Sequence, residues 1–337
     1  LALSFDISSE GAEILRANNS ELGQWMDEAF RVRIARFGRD FFCFSPTAYP
    51  YEIPNHKQRS PDNFISLSVT GTSCSLRCEH CDGHLLKGME ASLTPDALYE
   101  RCRQIAEYGG EGVLISGGSD SHGHVPLSRF GPAIKRVKDE LGLSVVVHTG
   151  LVDDETASLL AEARIDAAML DIIGDEEVAE KVYHIADAPR KMRQSLDLLE
   201  ERGVPTVPHV LVGLNYGRLG GEMEALQIIS QGSPSALVVI ALSPVRKTPM
   251  EGVQPPSPES IGRVLTIARL GQRKIPLLLG CARPMGTHKI ETDMLAVQSG
   301  VNGIALASQE GVRFAEAQGL TPIFRDVCCS LAYLTLG

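Results

Sequence analysis

Three cysteines, Cys74, Cys78 and Cys81, fall in the segment SVTGTSCSLRCEHCDGHLLKG (68–88) with the spacing C-x3-C-x2-C. Thiolates are the preferred ligands of cubane iron–sulfur clusters, and four of them complete such a cluster. Three in one short loop leave one iron without a protein ligand, which turns a cluster into a reaction site. Zinc is the competing reading, with His80, His84 or Asp82 filling out a tetrahedral set. Zinc ligands usually come as two separated pairs, however, and no second pair follows nearby. Three further cysteines stand at suggestive places. Cys281 lies in GCARP beside Arg283, and Cys328 and Cys329 lie in RDVCCSL near the C-terminus. A tail folded back across the same site would let these three hold an auxiliary iron–sulfur cluster. Its fourth ligand would be Ser330, a non-protein sulfur or Cys43.

These residues need elements to position them. From residue 64 onward, apolar strand-like runs alternate with amphipathic helical ones. The runs are FISLSVTG (64–71), GVLISGG (112–118), SVVVHTG (144–150), AAMLDIIG (167–174), PTVPHVLVGL (205–214), ALVVIALSP (236–244), IPLLLGCARP (275–284) and GIALAS (303–308). Continuous Val/Ile/Leu runs are the mark of parallel strands buried on both faces. The helical stretch 94–110 opens with Thr94 before Pro95, an N-cap followed by proline at the first helical position. Eight strand–helix units predict an α/β fold, a (β/α)8 TIM-like barrel over residues 63–318. A doubly wound open sheet is the alternative. Residues 1–62 are expected to form a helical extension capping one barrel end, and 319–337 a C-terminal tail carrying auxiliary-cluster ligands. Barrel enzymes work at the C-terminal ends of their strands, and the cysteine loop directly follows the first.

The 337 residues are 43% hydrophobic and 22% charged, with a formal net charge of −10. That balance argues against a general nucleic-acid or anionic-membrane binder, which needs a basic face. No apolar run is long enough to cross a bilayer, and no signal-peptide pattern is found. With eight cysteines and no such signal, a reducing cytoplasm is the expected setting.

The cysteine loop resembles the signature of the radical S-adenosylmethionine superfamily, C-x3-C-x-aromatic-C after the first barrel strand, with His80 in the aromatic place. The resemblance implies a [4Fe–4S] cluster on Cys74, Cys78 and Cys81, with S-adenosylmethionine chelating the fourth iron. Electron transfer into the cluster, from a donor such as ferredoxin or flavodoxin, then releases a 5′-deoxyadenosyl radical. Where the family often has Gly-Gly-Glu after strand two, this chain has Ser116, Gly117, Gly118 and Ser119. Backbone carbonyls or Asp120 would have to replace the Glu. His148 and Asp171 resemble ribose or carboxylate contacts, and Gly213 in VGLNYGRLGGE (212–222) resembles the segment lining the adenine. Within the superfamily the chain looks most like the biotin- and lipoyl-synthase-like branch, in particular a subunit of the two-protein lipoyl synthases. That implies sulfur insertion into an octanoyl chain on a lipoyl-carrier protein, together with a second radical subunit. The alternatives are a one-cluster radical enzyme acting on a small molecule, a non-catalytic iron–sulfur protein, and a zinc hydrolase using His122, His124, His148 and His209.

Overall fold

The computed structural model describes residues 5–47 and 49–336; residues 1–4 and Ala48 of the extension and Gly337 of the tail lie outside the described residues. The chain opens with α1 (Ser9–Arg16) and α2 (Asn19–Phe37), followed by β1 (Asp40–Phe44). The eight expected strands then appear in order: β2 (Phe64–Ser68), β3 (Gly112–Ser116), β4 (Ser144–His148), β5 (Ala167–Asp171), β6 (Thr206–Val212), β7 (Leu237–Ala241), β8 (Leu277–Leu279) and β9 (Gly303–Ala305). A last strand, β10 (Thr321–Arg325), precedes the tail. The main helices between strands are α3 (Pro95–Glu107), α4 (Gly131–Leu141), α5 (Asp154–Ala163), α6 (Glu176–Tyr183), α7 (Ala188–Glu201), α8 (Glu222–Ser230), α9 (Pro258–Gly271), α10 (Thr287–Gln298) and α11 (Gln309–Ala317). Thr94 does cap α3, its hydroxyl accepting the Ala97 amide at 3.2 Å, and Asp153 caps α5 through the Thr156 amide at 2.8 Å.

All of these strands pair in parallel, and β2 to β9 are neighbours in chain order. A doubly wound sheet would reverse direction at a switch point; this one does not. The barrel expectation is met in part. The ladder curls but does not close, because β1 and β10 are added beyond β9. A short strand, Glu90–Ala91, pairs in parallel with the outer edge of β2, and among the described residues loops and side chains link the other end of the sheet to β2: the Thr47 amide donates to the Phe64 carbonyl at 3.2 Å, and Asn63 Nδ2 to the Asp326 carbonyl at 2.8 Å.

Residues 40–44 are thus part of the same sheet as the barrel strands, in register Phe42–Gly303 and Phe44–Ala305. Helices α1 and α2 pack against α9 and α10. Arg263 on α9 fixes them there, one guanidinium nitrogen donating to the Ala17 carbonyl at 2.7 Å.

Strand alternation sorts the core into two sets. Ile65, Leu67, Val113, Ile115, Val145 and Val147 face the helices, whereas Phe42, Phe44, Phe64, Val146, Met169, Val207 and Val238 face the lumen. The tail joins the second set. Cys328, Cys329, Leu331 and Ala332 pack inside the lumen, and the Tyr333 hydroxyl donates to the Asp166 carbonyl at the start of β5. The tail therefore fills the lumen from the end opposite the cysteine loop and does not cross the mouth.

Candidate active site

The cysteine loop leaves β2 as a tight wrap. The Cys78 carbonyl accepts the amides of Cys81 at 3.1 Å and Asp82 at 2.7 Å, and the Cys81 carbonyl accepts that of His84 at 2.7 Å. Arg77 (φ +48°) and Asp82 (φ +43°) adopt left-handed backbone to make these turns. The glycines after β3 allow the loop to sit close. A Cβ on Gly118 would lie 2.0 Å from the Ser73 carbonyl oxygen and 2.6 Å from Cys74 Cβ. The Gly118 amide donates to Thr70 Oγ1 at 2.6 Å, and the Ser119 carbonyl accepts the Ser75 amide at 2.8 Å. Ser119 and its neighbours thus brace the loop through backbone. Asp120 does not reach toward it, because its carboxylate caps the His122 and His124 amides.

The ligand atoms of Cys78, His80 and Cys81 lie within 4.8 Å of one another. Hydrogen bonding from Cys78, together with the nearby His80 and the Gly83 amide, pulls the Cys81 thiol well below its usual range, so the loop gives up its first thiol proton readily. A thiolate is the form that binds metal. His80 Nδ1 is buried with no protein partner, and the His80 ring stacks on Tyr183 with centroids 5.0 Å apart. Of the other residues considered for zinc, Asp82 pairs with Arg77 at 2.8 Å and His84 Nδ1 lies 3.2 Å from the Cys81 carbonyl. Three thiols in one wrap, an unpartnered ring nitrogen beside them and a glycine cradle fit a cluster ligated by Cys74, Cys78 and Cys81.

Facing the loop, a polar chain crosses the strand ends. The Tyr183 hydroxyl donates to Asp171 Oδ2 at 3.0 Å, Asp171 Oδ1 lies 3.6 Å from His148 Nε2, and the rings of His148 and His209 are 5.7 Å apart. Asp171 and His209 are register partners on β5 and β6. Burial opposes ionisation of Asp171, but His148, His209 and the Tyr183 hydroxyl hold its carboxyl far below the usual range. Burial likewise disfavours protonated His148, and Asp171 more than offsets this and raises it. His209 goes the other way, to about 4, through burial and the neighbouring His148. Ser116 is turned from this cavity, its hydroxyl donating to the His148 carbonyl at 2.9 Å. Gly213 has φ +80° with its hypothetical Cβ 2.7 Å from Pro256, and its amide is committed to Glu222 at 2.8 Å.

The second cysteine set is assembled from distant segments. Cys281 follows β8 and is solvent-exposed. Burial and the charge of Cys328 raise its thiol. Hydrogen bonding from Cys329, and from Ser330 with Oγ 3.0 Å from the sulfur, lowers Cys328. Cys43 lies elsewhere: β1 sends Phe42 and Phe44 into the lumen and Cys43 to the helical side. Arg283 is also no ligand candidate. Its side chain is fully buried and donates to Asp293 at 2.9 Å and to the carbonyls of Gly280, Ala305 and Leu306.

The sequence reading missed three residues that hold the site together: Tyr183, Tyr216 and Glu222. Glu222 ends the glycine-rich segment and accepts the Gly213 and Gly220 amides at 2.8 and 2.6 Å. Only its place at the end of that segment hinted at this. Tyr216 donates its hydroxyl to Glu79; burial and that carboxylate push the hydroxyl up to about 12.

Residues 68–218 match the family model described as the Radical SAM superfamily. The chain is 26% identical over 224 residues to 3-methylornithine synthase from Methanosarcina barkeri, a match covering 62% of this chain and 60% of that enzyme. It is 22% identical over 261 residues to biotin synthase from a Synechococcus species, covering 74% of this chain and 77% of that one. The crystal structure of methylornithine synthase has the same fold, with a TM-score of 0.69 at 19% identity, covering 100% of this chain and 98% of that one. Among the described residues no helix is long and apolar enough to cross a membrane. The stretch 68–218, with the cysteine loop at its start, is thus similar to the radical S-adenosylmethionine superfamily, a family whose cofactors are a [4Fe–4S] cluster and S-adenosylmethionine.

Proposed function

We propose that this protein is a radical S-adenosylmethionine enzyme that inserts sulfur at an unactivated carbon of an octanoyl chain, presented by a lipoyl-carrier protein, in cooperation with a second radical subunit. The reading is supported by the adjacent Cys328 and Cys329 packing inside the lumen, and by Cys281, from the distant segment after β8, lying near enough for its thiol to feel the charge of Cys328. When bound, the cofactors supply hydrogen abstraction at the loop and, from a second iron–sulfur group on the floor, the sulfur atom. Such a C–H bond has no acidic proton, so acid–base chemistry cannot open it.

The chain's own residues do the rest. Cys74, Cys78 and Cys81 hold one group at the mouth, and Cys281, Cys328 and Cys329 hold the other below it. Leu114 and Ile240 belong to the lumen-facing set but are only half-buried, leaving apolar wall for an alkyl chain. Asp171 and His148 form the polar rim, positioned to orient ribose or a carboxylate. The Tyr183 hydroxyl keeps its proton, donates it in a hydrogen bond to Asp171 and so fixes that carboxylate.

The likeness to methylornithine synthase favours a second reading, a one-cluster radical enzyme acting on a small molecule. Iron and sulfide content after anaerobic reconstitution separates the two. Wild type should carry about eight irons, and the Cys281/Cys328/Cys329 triple Ala variant about four. About four irons in both would remove the sulfur source and leave the small-molecule reading. Cys74→Ala should abolish S-adenosylmethionine cleavage in either case.

A further inference from the structure

We propose that Tyr216 and Glu79 form a clasp that holds the cluster-bearing loop against the loop after β6, making both positioning residues for the cofactor site. Glu79 sits between Cys78 and His80, inside the ligand wrap. Its amide donates to the Val182 carbonyl at 2.9 Å, and its carboxylate accepts the Tyr216 hydroxyl. Tyr216 reaches it from the segment 213–221, the only covalent link being 137 residues of chain.

Three features aim Tyr216. Its own backbone is left-handed, with φ +50°, a conformation that tyrosine adopts only when its surroundings impose it. Glu222 ties down both ends of the segment through the Gly213 and Gly220 amides. At Gly217 (φ +84°) the backbone lies so close to the 250s loop that a Cβ would come 1.9 Å from the Gln254 carbonyl oxygen. Lys181, on the last turn of α6, places its ammonium 4.1 Å from the centre of the Tyr216 ring. The two residues that follow it, Val182 and Tyr183, hold Glu79 and His80. One helix end, one loop and the cysteine wrap therefore lock together at a single tyrosine.

The clasp predicts that the loop opens more often once the hydroxyl–carboxylate bond is lost, even before any cluster is bound. Tyr216→Phe keeps the ring under Lys181 and removes only the bond; Glu79→Leu, which has no acceptor, removes it from the other side. Hydrogen exchange on the cluster-free protein should speed up about tenfold in peptides covering 74–84 and 213–221 in each variant, the size expected for one hydrogen bond to a charged group. Exchange in β7 to β9 should not change. In the reconstituted protein, bleaching of the iron–sulfur absorbance in air should accelerate by a similar factor. The double variant should be no worse than either single one, since both remove the same bond. Unchanged exchange and bleaching in both single variants, or effects that add in the double, would overturn the clasp. Neither readout depends on which substrate the enzyme takes.

Discussion

The two cysteine sets of this protein are built in opposite ways. Cys74, Cys78 and Cys81 belong to a single wrap whose hydrogen bonds run mostly to its own backbone. Cys281 comes from the segment after β8 and Cys328 and Cys329 from the tail, so any site they share depends on the long-range packing that draws the tail into the lumen. The loop set needs one strand to present it and one glycine to make room. The lumen set needs the whole sheet, the Arg283 anchor behind Cys281 and the Asp326 contacts just before Cys328. A binding site can thus be local in sequence, or it can be an outcome of folding, within the same sheet.

The largest expected effect lies on the lumen side. Arg283→Ala leaves the fully buried Asp293 with Lys289, 3.8 Å away, in place of its guanidinium partner, which should cost about 3–5 kcal/mol. Denaturant unfolding measures this, and a loss below about 1 kcal/mol would show that Cys281 is positioned without the anchor. On the loop side, Gly118→Ala forces a methyl into the Ser73 carbonyl and Cys74. Overpacking of this kind should cost about 1–3 kcal/mol and lower iron retention at the loop while sparing thiols elsewhere. Quantitative iron content with the triple Ala variant as background isolates that effect.

Asp326 gives a smaller and pH-dependent test. Its carboxylate accepts the Ser45 hydroxyl at 2.6 Å and the Arg59 amide at 3.0 Å and meets His56 at 2.7 Å. Burial opposes its ionisation, but these partners hold its pKa below the usual value. A depressed carboxylate contributes stability that is present above its unfolded pKa, near 3.9, and is lost as pH falls through the lower folded value. Asp326→Asn should therefore lose about 1–3 kcal/mol at neutral pH, with the gap to wild type closing below about pH 4. A gap that persists in acid would assign the cost to geometry and not to charge. The smallest effect is expected for His80→Phe, which keeps the stack on Tyr183. Iron per chain should be unchanged and stability altered by less than about 1 kcal/mol. Loss of iron would make His80 a ligand and blur the distinction between the two sets.

Much of the site was legible before folding was considered. Thiol spacing in 74–81 reports a ligand wrap because those residues touch each other in any compact turn. The strand order from 64 to 308 was legible for a similar reason, since Val/Ile/Leu runs mark buried parallel strands one at a time. β1 was not legible. DFFCF in residues 40–44 sits in an aromatic, proline-rich stretch, and only pairing with β9 and β10 makes it a strand. The tail was misjudged because its direction depends on where β10 ends, which no local pattern encodes.

The amino-acid sequence by itself determined the cysteine loop, the places of the eight strands and the cap of α3, because each is written in residue types and spacings close together in the chain. Only the tertiary structure decided that the sheet stays open and takes in β1 and β10, that the tail fills the lumen, and that Tyr216 meets Glu79. Those outcomes depend on which buried surfaces find one another across hundreds of residues. Spacing along the chain carries no record of such distances.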